Sequence, residues 1–439
     1  MTTTQTPPRL RRKDAQAKPP IRIVHLGLGA FHRSHQAWYT QHAGDAGEWG
    51  IASFTGRRPD AAVTLAEQDG LFTVVERSGA GDSFEVIGSI VEAVDGADVA
   101  RLIELVAAPS TAVITLTITE AAYTAMDGDT PLSRLVAALA ARKDADAGPL
   151  AVVSCDNLSA NGEVARQAVA ALAEARDPAL AGWIGANVSF VSTSVDRITP
   201  RTTTADLDVV ADACGYRDAA AVVTEPFHNW ILSGDFPAGR PRWEDAGAVF
   251  VEDIEPYENR KLWLLNGAHS ILAYAGQLRG FTTVAEALSD AVCRDAVEAF
   301  WDEAARHLHG EDLGIPQYRA ALLERFGNSR IAHHLAQIAM DGTTKLRLRA
   351  LPVLAAERAS GRSGEGAARM IGAWIEYVSS STEFQDPRAA DILHAKTLDA
   401  DHRTAALLAL IAPELADDLD VASQIRGLQE ALAASISHA

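Results

Sequence analysis

Residues 21–32 of the chain read IRIVHLGLGAFH and indicate its fold class. The first six of these residues are mainly β-branched or apolar, as in a buried strand, and a turn with two glycines follows at once. When a helix begins directly after such a turn, its first backbone N–H groups bind the pyrophosphate of a dinucleotide. The turn residues Gly27, Gly29, Ala30 and Phe31 are therefore predicted to bind a dinucleotide cofactor.

The glycine motif of this turn is incomplete. His32 replaces the third glycine of GxGxxG, so the motif alone also fits a plain strand-to-helix turn. The rest of the first half favours the cofactor site, because strands that are apolar on both faces and alternate with helices are typical of a parallel, doubly wound α/β sheet. The strand-like runs lie at 21–29, 49–56, 111–119, 150–157 and 187–196, and the helical segments lie at 98–108, 131–142 and 162–175.

The second half of the chain has a different pattern. After Asp253 the strand-like runs end, and amphipathic segments rich in Ala and Leu follow, for example at 287–308. The last strand-like run gives way at Pro256 to a long helix. The sequence therefore predicts an N-terminal, dinucleotide-binding Rossmann-type domain over residues 21–253 and an all-helical, substrate-binding domain over residues 254–439.

Composition and charge exclude several classes of protein. The chain has 439 residues, 48% of them hydrophobic, and 39 Lys and Arg against 58 Asp and Glu give a net charge of −19. This content excludes intrinsic disorder, and the negative surplus argues against a nucleic-acid partner. No apolar run approaches the roughly 18 residues of a membrane span. Residues 1–20 are basic and Pro-rich without an apolar core, which predicts a flexible tail instead of a secretory signal, and a cytoplasmic protein.

Motifs for metal binding and for nucleophilic catalysis are missing from the sequence. Cys155, Cys214 and Cys293 form no CxxC pair, and none of the paired histidines lies in HExxH. The chain also has neither a GxSxG elbow nor a Walker loop. We therefore predict no metal site and a reaction other than acyl or phosphoryl transfer.

The second strand-like run is expected to carry the residues that contact the adenosine ribose of the cofactor. It ends in FTGRRPD, residues 54–60. Arg57 and Arg58 fit the 2′-phosphate of NADP, whereas Asp60 fits the free 2′-hydroxyl of NAD, and both arginines are also compatible with ordinary solvated charges. Charge alone leaves the choice between NAD and NADP open.

The residues best suited to proton transfer lie in KLWLLNGAH, residues 261–269. On an α-helix, Asn266 lies about 140° and His269 about 80° from Lys261, so the three polar groups share less than half of the helix circumference. The apolar residues between them predict a buried helix, in which desolvation lowers the pKa of a lysine and makes it a candidate general base. Asn266 is suited to donate to an oxygen that gains negative charge, and His269 to orient a hydroxyl. A helix with a snorkelling lysine and a core histidine is the alternative.

Polar side chains also follow the strands of the first half. Asn157 closes LAVVSCDN (150–157), Asp196 closes NVSFVSTSVD (187–196), and Thr117 lies near the end of another strand. Open α/β sheets bind their ligands at the carboxyl ends of the strands, so these residues are predicted to form one rim. Asn157 is then a second donor to the reacting oxygen and, with Thr117, a cofactor contact. For each residue, a loop cap or an ion pair is the alternative.

Taken together, the motifs resemble the mannitol dehydrogenase family, the polyol-specific long-chain dehydrogenases, over most of the chain from residue 21 onward. The segments that carry the resemblance are GLGAFHRSHQAWYT (27–40), LTITEAAY (116–123), SCDNLSANG (154–162), SVDRITPRTT (194–203), EPFHNWIL (225–232) and KLWLLNGAHSILAY (261–274).

The resemblance implies a Rossmann-type domain, a helical domain, and a metal-free active site in the cleft between them. Matched residue by residue, it implies that Lys261 is the general base toward the alcohol and that Asn266 and Asn157 form an oxyanion hole. It also implies that His269 binds the substrate and that Asp196 lies near substrate and cofactor.

The stretch QIAMDGTTK, residues 337–345, bears on the substrate. Mannitol dehydrogenases have an arginine and a histidine where Gln337 and Met340 stand, and the form found here resembles the fructuronate reductase (D-mannonate oxidoreductase) branch. A sugar acid needs a cation for its carboxylate, and Lys345 or Arg330 is predicted to provide one, with Arg347 as a further candidate.

The predicted function is that of an NAD(P)-dependent oxidoreductase that interconverts a ketose or keto-sugar acid with its polyol or aldonate. The cofactor is predicted to be NAD, with NADP left open, and the only predicted partner is a small sugar acid or polyol. Mannitol 2-dehydrogenase and arabinitol dehydrogenase are the alternatives within the family. A non-catalytic sensor of dinucleotide and sugar is the alternative from another class.

Overall fold

The computed structural model describes residues 7–13, 17–125, 128–310 and 312–436, and the chain divides into two compact units, Met1–Glu255 and Pro256–Ala439. No described helix is both long enough and apolar enough to span a membrane.

An eight-stranded sheet forms the centre of the first unit. Its strand order is β11-β10-β8-β7-β6-β1-β2-β5, and the six strands from β8 to β5 are all parallel, whereas β10 runs antiparallel to β8. The predicted parallel sheet is therefore confirmed, with the five predicted strands joined by a sixth, β5, that the sequence did not indicate. The strands are β1 (Ile21–Leu26), β2 (Gly50–Phe54), β5 (Ile90–Val94), β6 (Val113–Leu116), β7 (Leu150–Ser154), β8 (Val188–Asp196), β10 (Asn229–Ser233) and β11 (Val249–Phe250).

Both faces of this sheet are covered, as a doubly wound fold requires. Along β1, Ile23 belongs to one hydrophobic core, and its neighbour Val24 belongs to another on the opposite face. The helices of this unit are α1 (Ala30–Ser34), α2 (Gln36–His42), α3 (Asp60–Ala66), α4 (Val99–Ala107), α5 (Pro131–Asp144), α6 (Asn161–Arg176), α7 (Pro178–Asn187) and α8 (Thr204–Cys214), and 3₁₀ turns lie at Ala46–Glu48, Glu120–Tyr123 and Trp243–Ala246.

A second sheet of three strands was not predicted. Strands β3 (Phe72–Ser78) and β4 (Gly81–Ile87) form an antiparallel hairpin, and β9 (Val222–Thr224) pairs with β3 in parallel. The sequence pattern conceals β4 because most of its residues are only partly buried, so its apolar alternation is weak.

The predicted flexible tail contacts the first unit at Leu10 and Arg12, although most of its described residues are exposed. Of residues 1–20, residues 1–6 and 14–16 lie outside the described part of the chain. Leu10 is only 8% exposed, and its backbone N–H donates to a carbonyl of the first unit at 2.9 Å. The Arg12 guanidinium donates to backbone carbonyls at 3.0 and 3.2 Å. An apolar side chain and an arginine thus attach a segment whose composition alone favours disorder.

The second unit is helical, and no strand occurs among its described residues. Together with the sheet of the first unit, this arrangement confirms the predicted fold class. The helices are α9 (Glu255–Arg260), α10 (Ala268–Leu278), α11 (Val284–Ser289), α12 (Ala291–Ala305), α13 (Ile315–Phe326), α14 (Leu335–Ile338), α15 (Gly342–Arg349), α16 (Leu351–Ala359), α17 (Glu365–Ser380), α18 (Ala389–Ala395), α19 (Ala400–Ile411), α20 (Pro413–Asp417) and α21 (Leu419–Ile436).

The helix after Pro256 is not a regular α-helix, and this corrects the geometry used for the catalytic motif. Between α9 and α10 the chain forms a π-helix over Lys261–Gly267. A π-helix bonds residue i to i+5 and is wider than an α-helix, so successive side chains are rotated by less than 100°. The predicted angles between Lys261 and the two polar residues after it therefore do not apply.

Candidate active site

A cavity of about 610 Å³ lies in the first unit at the carboxyl ends of β1, β2 and β6. The turns that follow these strands form its walls, at residues 26–28, 54–58 and 117–119. Residues 129–131 at the start of α5 complete it. Ligands of open α/β sheets bind at this edge, so the cavity lies where the fold places a nucleotide.

Gly27 is required by the geometry of this cavity. Its backbone has φ +111°, and a Cβ atom there would lie 2.0 Å from the carbonyl oxygen of Thr117. Gly29 is different, because its backbone is extended and a Cβ would meet only the Gly27 oxygen at 3.6 Å. Gly27 therefore makes a close approach between the turn after β1 and the turn after β6 that no other residue allows.

Thr117 ties these two turns together through a buried histidine. Its hydroxyl donates to the Gly27 carbonyl at 2.9 Å and lies 3.1 Å from Nε2 of His25. Since the hydroxyl proton is committed to the carbonyl, Nε2 of His25 must be the donor, and Nδ1 then accepts from Thr115 at 2.8 Å. Burial lowers the pKa of His25 to about 3, which keeps the ring neutral and this tautomer fixed.

His32 takes the position of the missing third glycine as a core residue. Its ring stacks on that of His25 with centroids 3.3 Å apart, and Nε2 lies 2.9 Å from the hydroxyl of Ser53 on β2. Burial and the neighbouring His25 hold its pKa well below the ordinary value. A flat, neutral ring thus packs α1 against the strands, which is the role of the third glycine in other Rossmann turns.

The turn after β6 is held in a strained conformation. Thr119 has φ +73°, which is unusual for a β-branched residue. The Asp156 carboxylate accepts from the backbone N–H groups of Ile118 and Thr119 at 3.0 and 2.8 Å, and from the Tyr123 hydroxyl at 2.7 Å. Asp156, two residues after β7, therefore shapes the cavity wall, and the sequence pattern assigned it no role.

Only some of the predicted cofactor residues line the cavity. Gly27, Arg57 and Thr117 line it, and Arg58, the neighbour of Arg57, does so too. The other predicted cofactor residues do not line the cavity: Gly29, Ala30, Phe31, Asp60 and Asn157. The first three lie at the start of α1, Asp60 begins α3, and Asn157 is exposed after β7.

The residues of this cavity fit a dinucleotide. The turn after β1, held by the close approach of Gly27 to Thr117, forms one wall of the cavity, and the exposed Arg57 and Arg58 supply positive charge where the ribose and its substituents would lie. A third arginine, Arg134, is already committed, because its guanidinium binds both carboxylate oxygens of Asp129 at 2.6 Å.

In the second unit, the π-helix carries Lys261 and Asn266. Its carbonyls accept hydrogen bonds from other helices: Trp301 Nε1 donates to the Leu264 oxygen at 2.7 Å, and Arg349 Nη1 donates to the Asn266 oxygen at 3.0 Å. Lys261 and Asn266 are both partly exposed, whereas Leu264 is fully buried. The π-helix is therefore fixed by donors from α12 and α15 while its two polar side chains reach the surface of this unit.

His269 lies one turn further on, in α10. It is 7% exposed, its ring lies 4.9 Å from Phe326 and 4.8 Å from His333, and no hydrogen-bond partner of its Nε2 is found among the described residues. Burial is the first cause that holds its pKa well below the ordinary value, and the positive charges around it, including that of Lys345, act in the same direction. A buried, neutral imidazole with a free nitrogen is suited to bind a ligand hydroxyl.

The cations predicted for a substrate carboxylate lie in different environments. Lys345 is half-buried near His269, donates to the Ile338 carbonyl at 3.0 Å and has a pKa lowered by burial. Arg330 is exposed in the turn after α13. Arg347 donates to the carbonyls at the end of α19 at 3.0 and 3.1 Å, which gives it a structural partner. Arg349 was not predicted, although it stands one helical turn after Lys345.

Asp196 ends β8, and the arginine that follows it is part of the core. Arg197 donates to the carbonyls of Ser34 and Glu225 at 2.6 and 3.1 Å and forms an ion pair with Glu76. The VDR segment therefore combines a structural arginine with a partly buried carboxylate at the sheet edge. The described residues contain no group of three or more His, Cys, Asp or Glu side chains arranged to hold a metal ion.

The fold and these residues define a class of protein, the Rossmann-type dehydrogenases with a helical second domain. Residues 21–245 match the Mannitol dehydrogenase Rossmann domain, and residues 253–433 match the Mannitol dehydrogenase C-terminal domain. The chain therefore belongs to the mannitol dehydrogenase family, and the predicted resemblance is confirmed.

Individual relatives agree with this assignment. D-mannonate oxidoreductase of Escherichia coli K12 is 37% identical over 438 residues, which cover 91% of this chain and 89% of that protein. Mannitol 2-dehydrogenase of Cereibacter sphaeroides is 35% identical over a match that covers 82% of this chain and 81% of that protein. The structure of Pseudomonas fluorescens mannitol 2-dehydrogenase, in a ternary complex with NAD and D-mannitol, matches with a TM-score of 0.78 and 32% identity over 99% of this chain and 96% of that one. The chain is thus an oxidoreductase of this family.

Proposed function

We propose that the protein reduces a keto-sugar acid to the aldonate with a reduced nicotinamide cofactor, in the manner of a fructuronate reductase, and catalyses the reverse oxidation. The assignment to this branch is supported by the 37% identity to D-mannonate oxidoreductase and by the QIAMDGTTK segment. The observation that carries it is the cluster of basic side chains near His269, where His333, Arg325, Arg349 and Lys345 all lower the pKa of the histidine. Positive charge concentrated beside the proposed substrate-binding histidine favours an anionic substrate.

In the proposed reaction the cofactor supplies a hydride to the carbonyl carbon, and the protein supplies the proton. The Lys261 ammonium donates a proton to the carbonyl oxygen as that oxygen gains charge, and in the oxidation the neutral amine takes the proton from the alcohol. Bulk water then restores the charge state of Lys261, which is partly exposed.

The remaining predicted residues bind and orient the substrate in this proposal. Asn266 and Asn157 donate amide hydrogens to the oxygen that becomes negative, and this preference for the transition state lowers the barrier. His269 binds a substrate hydroxyl through its free Nε2, and Asp196 contacts a hydroxyl near the cofactor. Lys345 is the proposed carboxylate ligand, and the exposed Arg330 is a second candidate from the sequence.

The proposed limits of the dinucleotide-binding domain are residues 21–253, and those of the substrate-binding domain are residues 254–439.

The proposed cofactor is NAD. It is supported by the NAD complex of the Pseudomonas mannitol 2-dehydrogenase. NADP is a second candidate, because Arg57 and Arg58 line the cavity and Asp60 does not. The proposed dinucleotide site lies in the first domain. The residues around its phosphates and nicotinamide are Gly27, Gly29, Ala30, Phe31 and Thr117. A small sugar acid or polyol is the proposed substrate partner, and the cytoplasm the proposed location.

A substrate and cofactor panel tests this function. The wild-type protein is assayed with fructuronate, fructose and the ketose of arabinitol, each with NADH and NADPH. A higher kcat/KM for fructuronate than for fructose supports the proposal. A preference for fructose or for the arabinitol ketose assigns the protein to mannitol or arabinitol dehydrogenase activity instead. Binding of NADH without turnover of any substrate contradicts an enzyme and favours the sensor.

A further inference from the structure

The Arg349 guanidinium has a binding edge that the protein itself does not use. Its Nη1 donates to the Asn266 carbonyl and to the Ser270 hydroxyl, both at 3.0 Å. Within the described chain, Nε and Nη2 have no hydrogen-bond partner, and no Asp or Glu forms an ion pair with this residue. Arg349 is thus anchored at one nitrogen, and its Nε–Nη2 edge, the edge that matches a carboxylate in a bidentate pair, is available.

The position of this edge relates it to the proposed substrate site. The two groups that anchor Arg349 belong to Asn266 and Ser270, which stand three residues before and one residue after His269. Arg349 and Lys345 also lie one turn apart on α15, so both side chains leave the same face of that helix. The positive charge of each contributes to the low pKa of His269.

An arginine in this environment needs a counter-ion. The side chain is half-buried, and burial lowers its pKa to about 10, so its charge is desolvated without a carboxylate partner. Arg142 is also buried without a carboxylate, but its guanidinium nitrogens donate to backbone carbonyls, whereas the free edge of Arg349 is left for an anionic ligand. The other cations considered from the sequence are weaker candidates, because Arg347 is bound to the end of α19 and Arg330 is exposed.

We propose that Arg349 is the residue that selects sugar acids over neutral sugars, by a bidentate pair between its Nε–Nη2 edge and the substrate carboxylate. This inference rests on the proposed function and names the residue that determines its substrate class. Lys345 contributes a second positive charge to the same carboxylate from one turn earlier on α15. The anchor to Asn266 fixes the guanidinium relative to the helix that holds the proposed oxyanion donor.

The test compares fructuronate with fructose, which carries a hydroxymethyl group in place of the carboxylate. In Arg349→Gln, the ratio of the two kcat/KM values is expected to fall by about 10–100-fold, the range of a charge-assisted hydrogen-bonded pair. The kcat/KM of the variant for fructose shows whether the hydrogen bond from Arg349 to the Asn266 carbonyl also affects turnover of a neutral substrate. Arg347→Gln, on the same helix, is the control and is expected to leave the ratio unchanged.

The outcomes separate this inference from the proposed function. If Arg349→Gln lowers kcat/KM equally for both substrates, Arg349 is only a structural anchor and the inference is overturned. If Arg349→Gln does not fold, Arg349→Lys is decisive, because lysine keeps the positive charge but cannot form the bidentate pair. A reduced ratio of kcat/KM for fructuronate to that for fructose supports the inference, and an unchanged ratio overturns it. A wild-type protein that prefers fructose overturns both the inference and the proposed function, whereas an unchanged ratio in the variants overturns the inference alone.

Discussion

Single residues decide the shape of the dinucleotide cavity, and Gly27 is the clearest case. Gly27→Ala would place a methyl group 2.0 Å from the Thr117 carbonyl at a positive φ, so the turn after β1 must move. We expect NADH affinity to fall by at least about tenfold and the free energy of unfolding by about 1–3 kcal/mol. Fluorescence titration with NADH and urea unfolding measure the two effects.

Gly56 provides a matched control for this prediction. It lines the same cavity, but a Cβ atom there meets nothing within 4 Å, and its φ is not in the left-handed region. Gly56→Ala is therefore expected to keep NADH affinity and stability close to wild type. Equal effects of the two substitutions would show that any added methyl group blocks the cavity and that the turn geometry at Gly27 has no special role.

At the residue scale the sequence located the motif on a helical segment but did not predict its contacts. The spacing of Lys261, Asn266 and His269 identified the motif, and the structure places all three on consecutive turns of one helical segment. Arg349 and Asp156 were missed because their roles depend on through-space contacts, with the π-helix and with the turn after β6. The distance of four residues between Arg349 and Lys345 was the one signal in the sequence that pointed to a shared helix face.

At the scale of elements, the π-helix is the feature that the sequence did not predict. Periodicity arguments assume 3.6 residues per turn, and the apolar residues of KLWLLNGAH fit that period well enough to conceal a wider turn. The five parallel strand-like runs, by contrast, were predicted because they are apolar on both faces. The π-helix is stabilised by contacts from other elements, which are not visible in local sequence.

Trp301 on α12 is expected to stabilise the π-helix through its indole N–H. Trp301→Phe keeps most of the buried apolar surface but removes the donor to the Leu264 carbonyl at 2.7 Å. We expect the free energy of unfolding to fall by about 1–2 kcal/mol beyond the effect of the smaller side chain. Trp230→Phe is the control, since Trp230 is equally buried and its indole N–H has no partner among the described residues. Equal losses for both variants, measured by calorimetry, would contradict a role of the hydrogen bond.

At the scale of the whole molecule, a buried glutamate of the second unit is expected to stabilise the protein at neutral pH, and this contribution is expected to be lost in acid. Glu357 is 1% exposed and binds Arg306, His307 and Arg362 at 2.6 to 3.1 Å. The Arg306 hydrogen bond is the largest cause that holds its pKa well below the ordinary range. A carboxylate whose folded pKa is depressed contributes stability above its unfolded pKa of about 4.3, and that contribution is lost as pH falls below this value.

Glu357→Gln is therefore expected to lower the free energy of unfolding by about 2 kcal/mol at pH 7 and by clearly less at pH 3. Urea unfolding at pH 7, 5 and 3 measures the difference from wild type. Glu365→Gln, which removes only an exposed ion pair with Arg369, is expected to change stability by less than about 0.5 kcal/mol. A Glu357→Gln effect that does not shrink between pH 7 and pH 3 would contradict the assigned cause.

The whole-molecule prediction of an α/β half followed by a helical half is confirmed, because it rests on long periodic segments. The charge of −19 gains a more specific meaning from the structure. The proposed function requires two anionic ligands to bind an acidic protein, and cationic groups occur near Arg57 in the first unit and around His269 in the second. Local charge at these positions, and not the net charge, is expected to govern binding.

The role of Lys261 in proton transfer is the central claim, and the activity of Lys261→Ala between pH 6 and pH 10 tests it most directly. We expect kcat to fall by at least about 100-fold across this range, because the proton transfer loses its partner. NADH affinity should stay near that of wild type, and Lys143→Ala, a surface lysine on α5, should keep full activity. Wild-type turnover by Lys261→Ala over the whole pH range would contradict the mechanism.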